Sequence, residues 1–246
     1  MKINKYKKLK SNKYELTLED SEKIILYEDV ILKEELLLKK EIDNIKRLTE
    51  INKEYEIYDI ALKYLNHHVI SIKGMREYLL KKKYDLQNID KTIDRLTCKG
   101  YLDEDYYAKC YITNQVNLSN DGPIKIIKHL EDNEIPSSTY AKYLSNYNDL
   151  WQERIDKYIN KQLKVNKKST YFFKSKMLIN LVNLGYDKEM INGCLNHIQI
   201  DNLDELKEQE KEKIRKKLSR KYTGDELERK IKEKLYQKGF LIKRNY

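Results

Sequence analysis

An apolar pattern that recurs every 51 residues is the strongest constraint on how this chain of 246 residues folds. Five sets of three positions keep that spacing: Met75, Ile126 and Met177; Leu79, Leu130 and Leu181; Ile89, Tyr140 and Ile191; Ile93, Leu144 and Leu195; and Leu96, Tyr147 and Ile198. A period in this range is typical of arrays of small units that bury their apolar faces against one another. Such arrays more often bind another macromolecule than enclose a small substrate.

Three helices are predicted within each repeat. The apolar positions of the second helix are four residues apart, and those of the third helix are spaced by four and three, which places each set on one helical face. The first helix carries the tyrosines Tyr64, Tyr111 and Tyr158. Gly185 fits a left-handed C-cap after the second helix. Capping of the third helix is expected from Asp85, Ser137 and Asp187.

The chain as a whole is predicted to be mainly α-helical. Its 7 Gly and 2 Pro leave little material for a fold rich in turns. Strict alternation of apolar and polar residues over 14–18 nevertheless predicts a strand, and residues 1–30 are interpreted as a small antiparallel β-meander. We therefore expect a meander with a connecting helix over 1–55, three-helix repeats over 56–102, 103–149 and 150–200, and a partial C-terminal helical repeat over 201–246.

No constellation of residues for catalysis or metal binding is found in the sequence. The glycines form neither GxGxxG nor GxxxxGK[ST], so a phosphate-binding loop is not predicted. His67 and His68 have no Cys or carboxylate at ligand spacing. The acidic run at 103–105 opens a predicted helix, where capping and the helix dipole explain it. We expect a protein that is not an enzyme and uses neither a cofactor nor a metal.

The sequence also suggests a cytoplasmic location. No apolar run approaches the roughly 18 residues needed to span a bilayer, and the basic N-terminus is followed by no apolar stretch. The three cysteines, Cys98, Cys110 and Cys194, lack paired spacing, which suits a reducing compartment. We expect a soluble protein that does not contact membranes and is a monomer when free.

Positive charge is concentrated at the two ends of the chain. The formal net charge is +10, residues 1–13 contain six Lys and no acid, and residues 205–246 contain 15 Lys or Arg against 8 acids. The long middle stretch is mildly acidic. Basic ends around such a centre favour contact with a polyanion at the ends.

The residues of the first repeat resemble those of the RecX family of recombinase regulators. The resemblance is carried by Tyr64-Leu65, Ser71, Arg76, Tyr78-Leu79, Ile89, Ile93, Leu96, the run Gly100-Tyr101-Leu102-Asp103-Glu104-Asp105-Tyr106-Tyr107-Ala108, and then Gly122-Pro123-Ile124-Lys125-Ile126 and Leu130. It covers residues 56–200 well and the ends more loosely. The chain departs from the family at His68, where Arg is usual, at Ile70, often basic, and at Gly74, usually acidic.

The resemblance implies a regulator of homologous recombination and DNA repair, within the SOS response. Such a regulator binds the RecA–single-stranded DNA filament, lies along its groove and restrains ATP hydrolysis and strand exchange. The candidate filament contacts are Arg76 and Lys125, which lie within family motifs, and Arg95 and Lys128, chosen for charge and position. Contacts with DNA phosphates are expected from Lys211, Lys213, Arg215, Lys216, Lys217, Arg220 and Lys221.

Two other classes of protein stay open at this point. A free-standing DNA- or RNA-binding protein would explain the basic ends, and it predicts tight binding to naked single strands at physiological salt. A helical scaffold for another partner would explain the repeat alone. It predicts weak nucleic-acid binding that salt abolishes, and no effect on RecA.

Overall fold

A computed structural model describes residues 1–10, 12–166, 169–198 and 203–240 of the chain. The backbone divides into two compact units. The first consists of Met1–Cys110 together with Asn133–Ile135, and the second of Tyr111–Asp132 together with Pro136–Tyr246. The boundary predicted between residues 200 and 201 lies outside the described residues, and the other repeat boundaries stay predictions.

The N-terminal segment forms the antiparallel meander that the alternating pattern predicts. Its strands are β1 (Ile3–Lys8), β2 (Lys13–Leu18) and β3 (Lys23–Tyr27), in the order β1-β2-β3. Two short helices follow, α1 (Glu28–Lys33) and α2 (Leu36–Lys39). Leu16 and Leu18 of β2 are fully buried and pack with Val30 and Ile31 of α1 in one apolar cluster. The helical pattern therefore begins at Glu28, as expected.

The first three-helix repeat lies in the first unit and has its own core. It consists of α3 (Ile45–Leu65), α4 (Ile72–Lys81) and α5 (Leu86–Cys98). Met75 and Leu79 of α4 are fully buried together with Ile89 of α5 and Ile57 of α3. Each such side chain contributes about 1.5–3 kcal/mol by leaving water. This burial explains why the repeat keeps apolar residues four apart on one face of each helix.

The remaining helices continue the same pattern. They are α6 (Glu104–Leu118), α7 (Pro123–Asp132), α8 (Ser137–Leu144), α9 (Asn148–Leu163), α10 (Thr170–Asn183), α11 (Lys188–Asn196), α12 (Leu203–Leu218) and α13 (Gly224–Gln237). The first four sets of 51-residue positions are buried in all three repeats. Ile231 and Leu235 of α13 form a further cluster with Ile214 and Phe240. A mainly α fold of tandem three-helix repeats after a β-meander is confirmed.

The fifth set of repeated positions departs from the predicted core stripe. Leu96 is buried on α5, but α8 ends at Leu144 and Tyr147 falls in a single 3-10 turn, Ser145–Tyr147. Ile198 follows the end of α11 at Asn196. Both Tyr147 and Ile198 are only half-buried. The third helix of the later repeats is therefore shorter than the spacing predicts. Its last buried turn ends the helix, and the residues that follow are no longer turned towards the core.

The capping residues are as predicted in two repeats and different in the middle one. Asp85 accepts a hydrogen bond from the Asn88 N–H at 3.0 Å, and Asp187 accepts one from the Glu189 N–H at 2.8 Å. Ser137 does not cap α8, so this prediction is wrong. The extended backbone of Pro136 precedes the helix, and Ser137 is already its first helical residue. The Ser137 side chain therefore does not precede the first turn of α8, whose N–H groups lack partners within the helix.

Glycine at 122 brings the start of α7 directly against the end of α10. The Gly122 N–H donates to the Leu184 carbonyl at 2.6 Å, and the Ile124 N–H donates to the Gly185 carbonyl at 3.0 Å. A Cβ at Gly122 would lie 2.5 Å from the Gly185 carbonyl oxygen. Gly185 has φ of +88°, so the predicted left-handed C-cap is confirmed. N–H groups at the start of α7 thus satisfy carbonyls just after the end of α10.

Candidate functional site

The two predicted filament contacts of the first unit are both engaged by neighbouring helices. Arg76 of α4 forms an ion pair with Asp90 of α5. The guanidinium of Arg95 lies over two tyrosine rings of α3, 4.8 Å from the centroid of Tyr55 and 4.0 Å from that of Tyr58. Stacking of this kind contributes about 0.5–2 kcal/mol. Both arginines therefore help to hold the repeat together, whatever else they bind.

The two predicted contacts of the second unit differ from each other. Lys125 of α7 pairs with Asp121, with 2.7 Å between Nζ and Oδ1, and the pair is largely exposed. An exposed pair of this kind contributes about 0–1 kcal/mol, so it opens easily. Lys128, one turn further along α7, is exposed, and no acidic partner for it exists within the described ranges. Lys128 is therefore the more available charge.

Ion pairs divide the C-terminal basic cluster into a half that is paired with acidic residues and a half that is not. Lys211 pairs with Glu208 at 3.5 Å, Lys213 with Glu210 at 3.3 Å, and Arg215 with Glu228 at 2.5 Å. Lys216, Lys217, Arg220 and Lys221 are exposed and carry no ion pair in the part of the chain that the structure describes. Lys216 and Lys217 lie in the last turn of α12, where the helix dipole favours positive charge, and Arg220 and Lys221 lie in the turn that follows.

Glu210 anchors the paired half of that cluster. It is buried, and both Lys213 and Lys238 reach its carboxylate. Hydrogen bonds from Lys238 and Lys213 lower the pKa of Glu210 from its usual value, against the opposing effect of burial. The carboxylate therefore stays ionised at neutral pH. Lys213 and Lys238 are used for folding, and the charge that remains for a ligand lies further along α12.

A cavity that the sequence did not predict lies within the second unit. Its volume is about 280 Å³, and Arg154, Lys157 and Lys161 of α9 line it together with Asn120 and Gln162. The hydroxyl-bearing side chains of Tyr158 and Tyr186 also line it. Among the described residues around this cavity, none is acidic. A cavity whose lining residues include three cations and no acid is suited to an anion.

Arg154 is fixed at the end of α6. Its Nη2 donates to the Val116 carbonyl and, at 3.2 Å, to the Ser119 carbonyl. Its guanidinium carbon lies 5.5 Å from the ring centroid of Trp151. Nη1 is buried and has no hydrogen-bond partner within the described structure. Leaving such a group unpaired costs about 1–3 kcal/mol, and more for a charged one.

Tyr186 closes the cavity from the side of α10 and α11. It is buried, and its hydroxyl donates to the Asn120 carbonyl at 3.2 Å. Burial raises the pKa of Tyr186 and outweighs the opposing effect of Arg154, whose charge and hydrogen bond lower it, so the hydroxyl stays neutral at physiological pH. The only sequence signal for this cavity is the spacing of Arg154, Lys157 and Lys161, which places three cations on one face of α9. Residues 120 and 181–186 complete it, and their approach depends on the tertiary fold.

A second cavity, in the first unit, contains the most specific part of the family motif. Its volume is about 470 Å³, and Tyr101, Asp103 and Tyr106 line it together with His68 and Ile70. Tyr101 and Tyr106 are both more than half exposed, which is unusual for core packing and typical of a surface that is available to a partner. Two of the three departures from the family pattern therefore lie beside the motif.

The third departure, at Gly74, is coupled to Ile70. A Cβ at Gly74 would lie 2.7 Å from Cγ1 of Ile70, so any side chain at residue 74 requires Ile70 to move. Ile70 lies just before the Ser71 N-cap of α4 and close to Gly74, so a basic residue at 70 with an acid at 74 would suit an ion pair there. Here the pair is replaced by an isoleucine that covers a glycine.

The described residues contain no group of three or more His, Cys, Asp or Glu side chains that could hold a metal ion. Cys194 is buried, and burial raises its pKa to about 11, so the thiol is protonated at neutral pH. In the same part of the chain, no helix is both long and apolar enough to cross a membrane. Charged groups of the described residues, such as Lys125 and Lys128, are instead engaged in ion pairs or exposed to solvent.

Fold and surface together define a helical-repeat protein with a β-meander at its start and basic surfaces on its helices. No protein-family model matches the chain. Curated relatives do match it: regulatory protein RecX of Bacillus subtilis is 30% identical over 194 residues, 75% of this chain and 72% of the relative. Regulatory protein RecX of Streptococcus gordonii is 28% identical over 250 residues, 98% of this chain and 95% of the relative.

The chain belongs to the RecX family of regulatory proteins. A crystal structure of regulatory protein RecX is similar in fold, with a TM-score of 0.68 and 18% identity, and the match covers 80% of this chain and 99% of the other. The resemblance stated from the sequence is therefore confirmed at the level of the family and of the fold. The protein is a RecX-type regulator.

Proposed function

We propose that this protein binds the RecA–single-stranded DNA filament and restrains its ATP hydrolysis and strand exchange, without an enzymatic activity of its own. The observation that carries the proposal is the match to regulatory protein RecX along 98% of the chain. In this role the protein acts in the cytoplasm during homologous recombination and DNA repair. Tandem repeats suit the task, because they offer a large binding surface without a catalytic site.

Filament docking is assigned to Arg76, Arg95, Lys125 and Lys128. Lys128 is expected to contribute most, because a partner carboxylate can bind it without first displacing an intramolecular one. Arg95 is expected to contribute least as a charge, since its guanidinium already lies over Tyr55 and Tyr58. Contact with the DNA of the filament is assigned to the basic cluster of α12.

The direct test is the single-stranded-DNA-dependent ATPase of a bacterial RecA, measured while the purified protein is titrated in. The expected result is a progressive fall in ATP turnover. Unchanged turnover at saturating protein would refute the proposal. ATP turnover by the protein alone, abolished by a point mutation, would refute its non-enzymatic part.

A charge reversal tests the docking assignment within the same assay. Lys128→Glu is expected to raise the concentration needed for half-inhibition by about tenfold, since it would place two like charges together at the docking surface, which costs up to several kcal/mol. The matched control is Lys176→Glu, an exposed lysine on α10 in the same unit with no assigned role. Equal effects of the two reversals would contradict the assignment of Lys128.

A further inference from the structure

The cavity of the second unit has the composition of an anion-binding site. Arg154, Lys157 and Lys161 line it from one face of α9, and the amide side chains of Asn120 and Gln162 supply neutral donors. We propose that this cavity binds a phosphate group carried by a single-stranded nucleic acid. A free nucleotide offers the same chemistry, and the two sources are separated by experiment below.

Arg154 is held in place before any ligand arrives. Its Nη2 hydrogen bonds to the Val116 and Ser119 carbonyls use one edge of the guanidinium, and Nη1 is left without a partner in the described structure. A planar guanidinium matches the geometry of a phosphate and can donate two parallel hydrogen bonds. Because its orientation is already fixed, less conformational entropy is lost on binding. The unpaired Nη1 is the donor that a phosphate oxygen would satisfy.

The two lysines favour a strand over an isolated phosphate. Both are exposed, so their ammonium groups reach solvent outside the cavity. Lys157 has an exposed partner in Glu153 at 2.6 Å, and Lys161 has no ion pair within the described residues. Phosphates that flank the bound one in a strand would meet these charges, whereas a single phosphate cannot use all of them.

The size of the cavity limits what enters it. A volume of about 280 Å³ lies just below the range of about 300–1,000 Å³ that is usual for sites of drug-sized ligands. One phosphate and its attached sugar fit this space, and Leu181 and Leu184 give the sugar an apolar wall. A duplex offers its phosphates on a stiff convex surface, so a flexible single strand is the better match.

This inference does not depend on any action on RecA, because it predicts binding of an oligonucleotide to the free protein. The chain contains a local reporter in Trp151, its one tryptophan, 5.5 Å from the guanidinium carbon of Arg154. The full-length protein is titrated with a short oligo(dT), and tryptophan fluorescence is recorded. A saturable change is expected.

Two double variants distinguish binding by the cavity lysines from an effect of net charge alone. Lys157→Gln with Lys161→Gln is expected to weaken the fluorescence titration by about tenfold and to lower its salt slope by up to about 1.4, which is about 0.7 for each phosphate no longer neutralised on a single strand. Lys176→Gln with Lys188→Gln removes the same charge from exposed residues of the second unit that do not line the cavity, and should change neither. Circular dichroism of both variants confirms that they are folded.

Several results would overturn the proposal. Equal weakening in the two double variants would mean that only net charge matters. Binding of oligo(dT) by anisotropy without a response of Trp151 would place the site elsewhere. Saturation by ATP or inorganic triphosphate at lower concentration than by oligo(dT) would assign the cavity to a free nucleotide, and an equal response to poly-glutamate would assign it to an acidic protein segment.

Discussion

A left-handed backbone residue follows the second helix of every repeat, although the amino acid differs. Lys83 has φ of +65°, Glu134 of +63° and Gly185 of +88°, and these residues are 51 apart. Gly239, after α13, has φ of +81°. For a residue with a Cβ, this conformation costs about 1–2 kcal/mol. The first two repeats therefore accept a strain that the later ones avoid.

Replacing Lys83 with Gly is expected to stabilise the protein by about 0.5–1 kcal/mol, because the relief of strain exceeds the added freedom of the unfolded chain. The measurement is the free energy of unfolding in urea. Lys81→Gly, two residues earlier at the last residue of α4, is the control and should destabilise by up to about 1 kcal/mol. Equal destabilisation by both would show that the left-handed conformation carries no strain.

Cys98 and Cys194 are expected to differ in reactivity at pH 8. Burial raises the pKa of Cys194 to about 11, whereas Cys98 is exposed. Since the thiolate is the reacting form and falls about tenfold per unit of pKa, Cys194 should resist N-ethylmaleimide while Cys98 is modified. Mass spectrometry of peptides from the folded and urea-unfolded protein measures this. Modification of Cys194 as fast as Cys98 in the folded protein would contradict it.

At the scale of elements, the close approach of α7 and α10 distinguishes the second unit. Two backbone hydrogen bonds join the start of α7 to the end of α10, and there is no room between them for a side chain at residue 122. The same close approach positions Lys125, whose Cβ lies beside Gly185, and so fixes one of the candidate docking residues. Gly122 thus helps to determine where α7, with its candidate docking residue, lies.

Gly122→Ala is expected to destabilise the protein by about 1–3 kcal/mol, the usual cost of forcing an extra carbon into a packed interface. Gly193→Ala is the control, because a Cβ at Gly193 on α11 meets nothing within 4 Å. That change should stabilise by about 0.5–1 kcal/mol, since alanine favours a helix interior. Thermal and urea unfolding compare the two. If both changes have the same sign, the close approach is not what requires glycine at 122.

At the scale of the whole molecule, net charge overstates what is available to a ligand. The net charge of +10 includes many cations that are held by carboxylates, such as Lys211, Lys213 and Arg215. In the part of the chain that the structure describes, cations without an ion pair include the four at and just after the end of α12 and Lys161 on the cavity face of α9. Salt dependence of DNA binding is therefore expected to come from few residues.

A fourfold variant tests this expectation, with Gln in place of Lys216, Lys217, Arg220 and Lys221. It should lower the slope of log K against log salt by up to about 2.8 on single-stranded DNA. This figure is about 0.7 for each phosphate that is no longer neutralised. Fluorescence anisotropy of a labelled oligonucleotide at several salt concentrations measures the slope. Lys211→Gln with Lys213→Gln is the control and should change the slope less, because these lysines already have acidic partners. A slope reduced more by the control would contradict this division of the cluster.

The sequence by itself determined the repeat, the meander and the family. Periodic positions such as Met75, Ile126 and Met177 report burial directly, because each helix must turn one apolar face to the core. Asp85 and Asp187 predicted their caps, since capping depends on residues that are near in sequence. The same reasoning failed at Ser137, because the backbone that precedes α8 determines where that helix begins.

Tertiary structure alone decided which charges are available and where they converge. Nothing local indicates that Arg95 lies over Tyr58, that Glu210 binds Lys238, or that residues 120 and 181–186 enclose the face of α9 that carries Arg154. These interactions join residues that are far apart in sequence, and their energies depend on burial and distance. A sequence records charge and period, whereas the availability of a charge depends on the partner that folding places beside it.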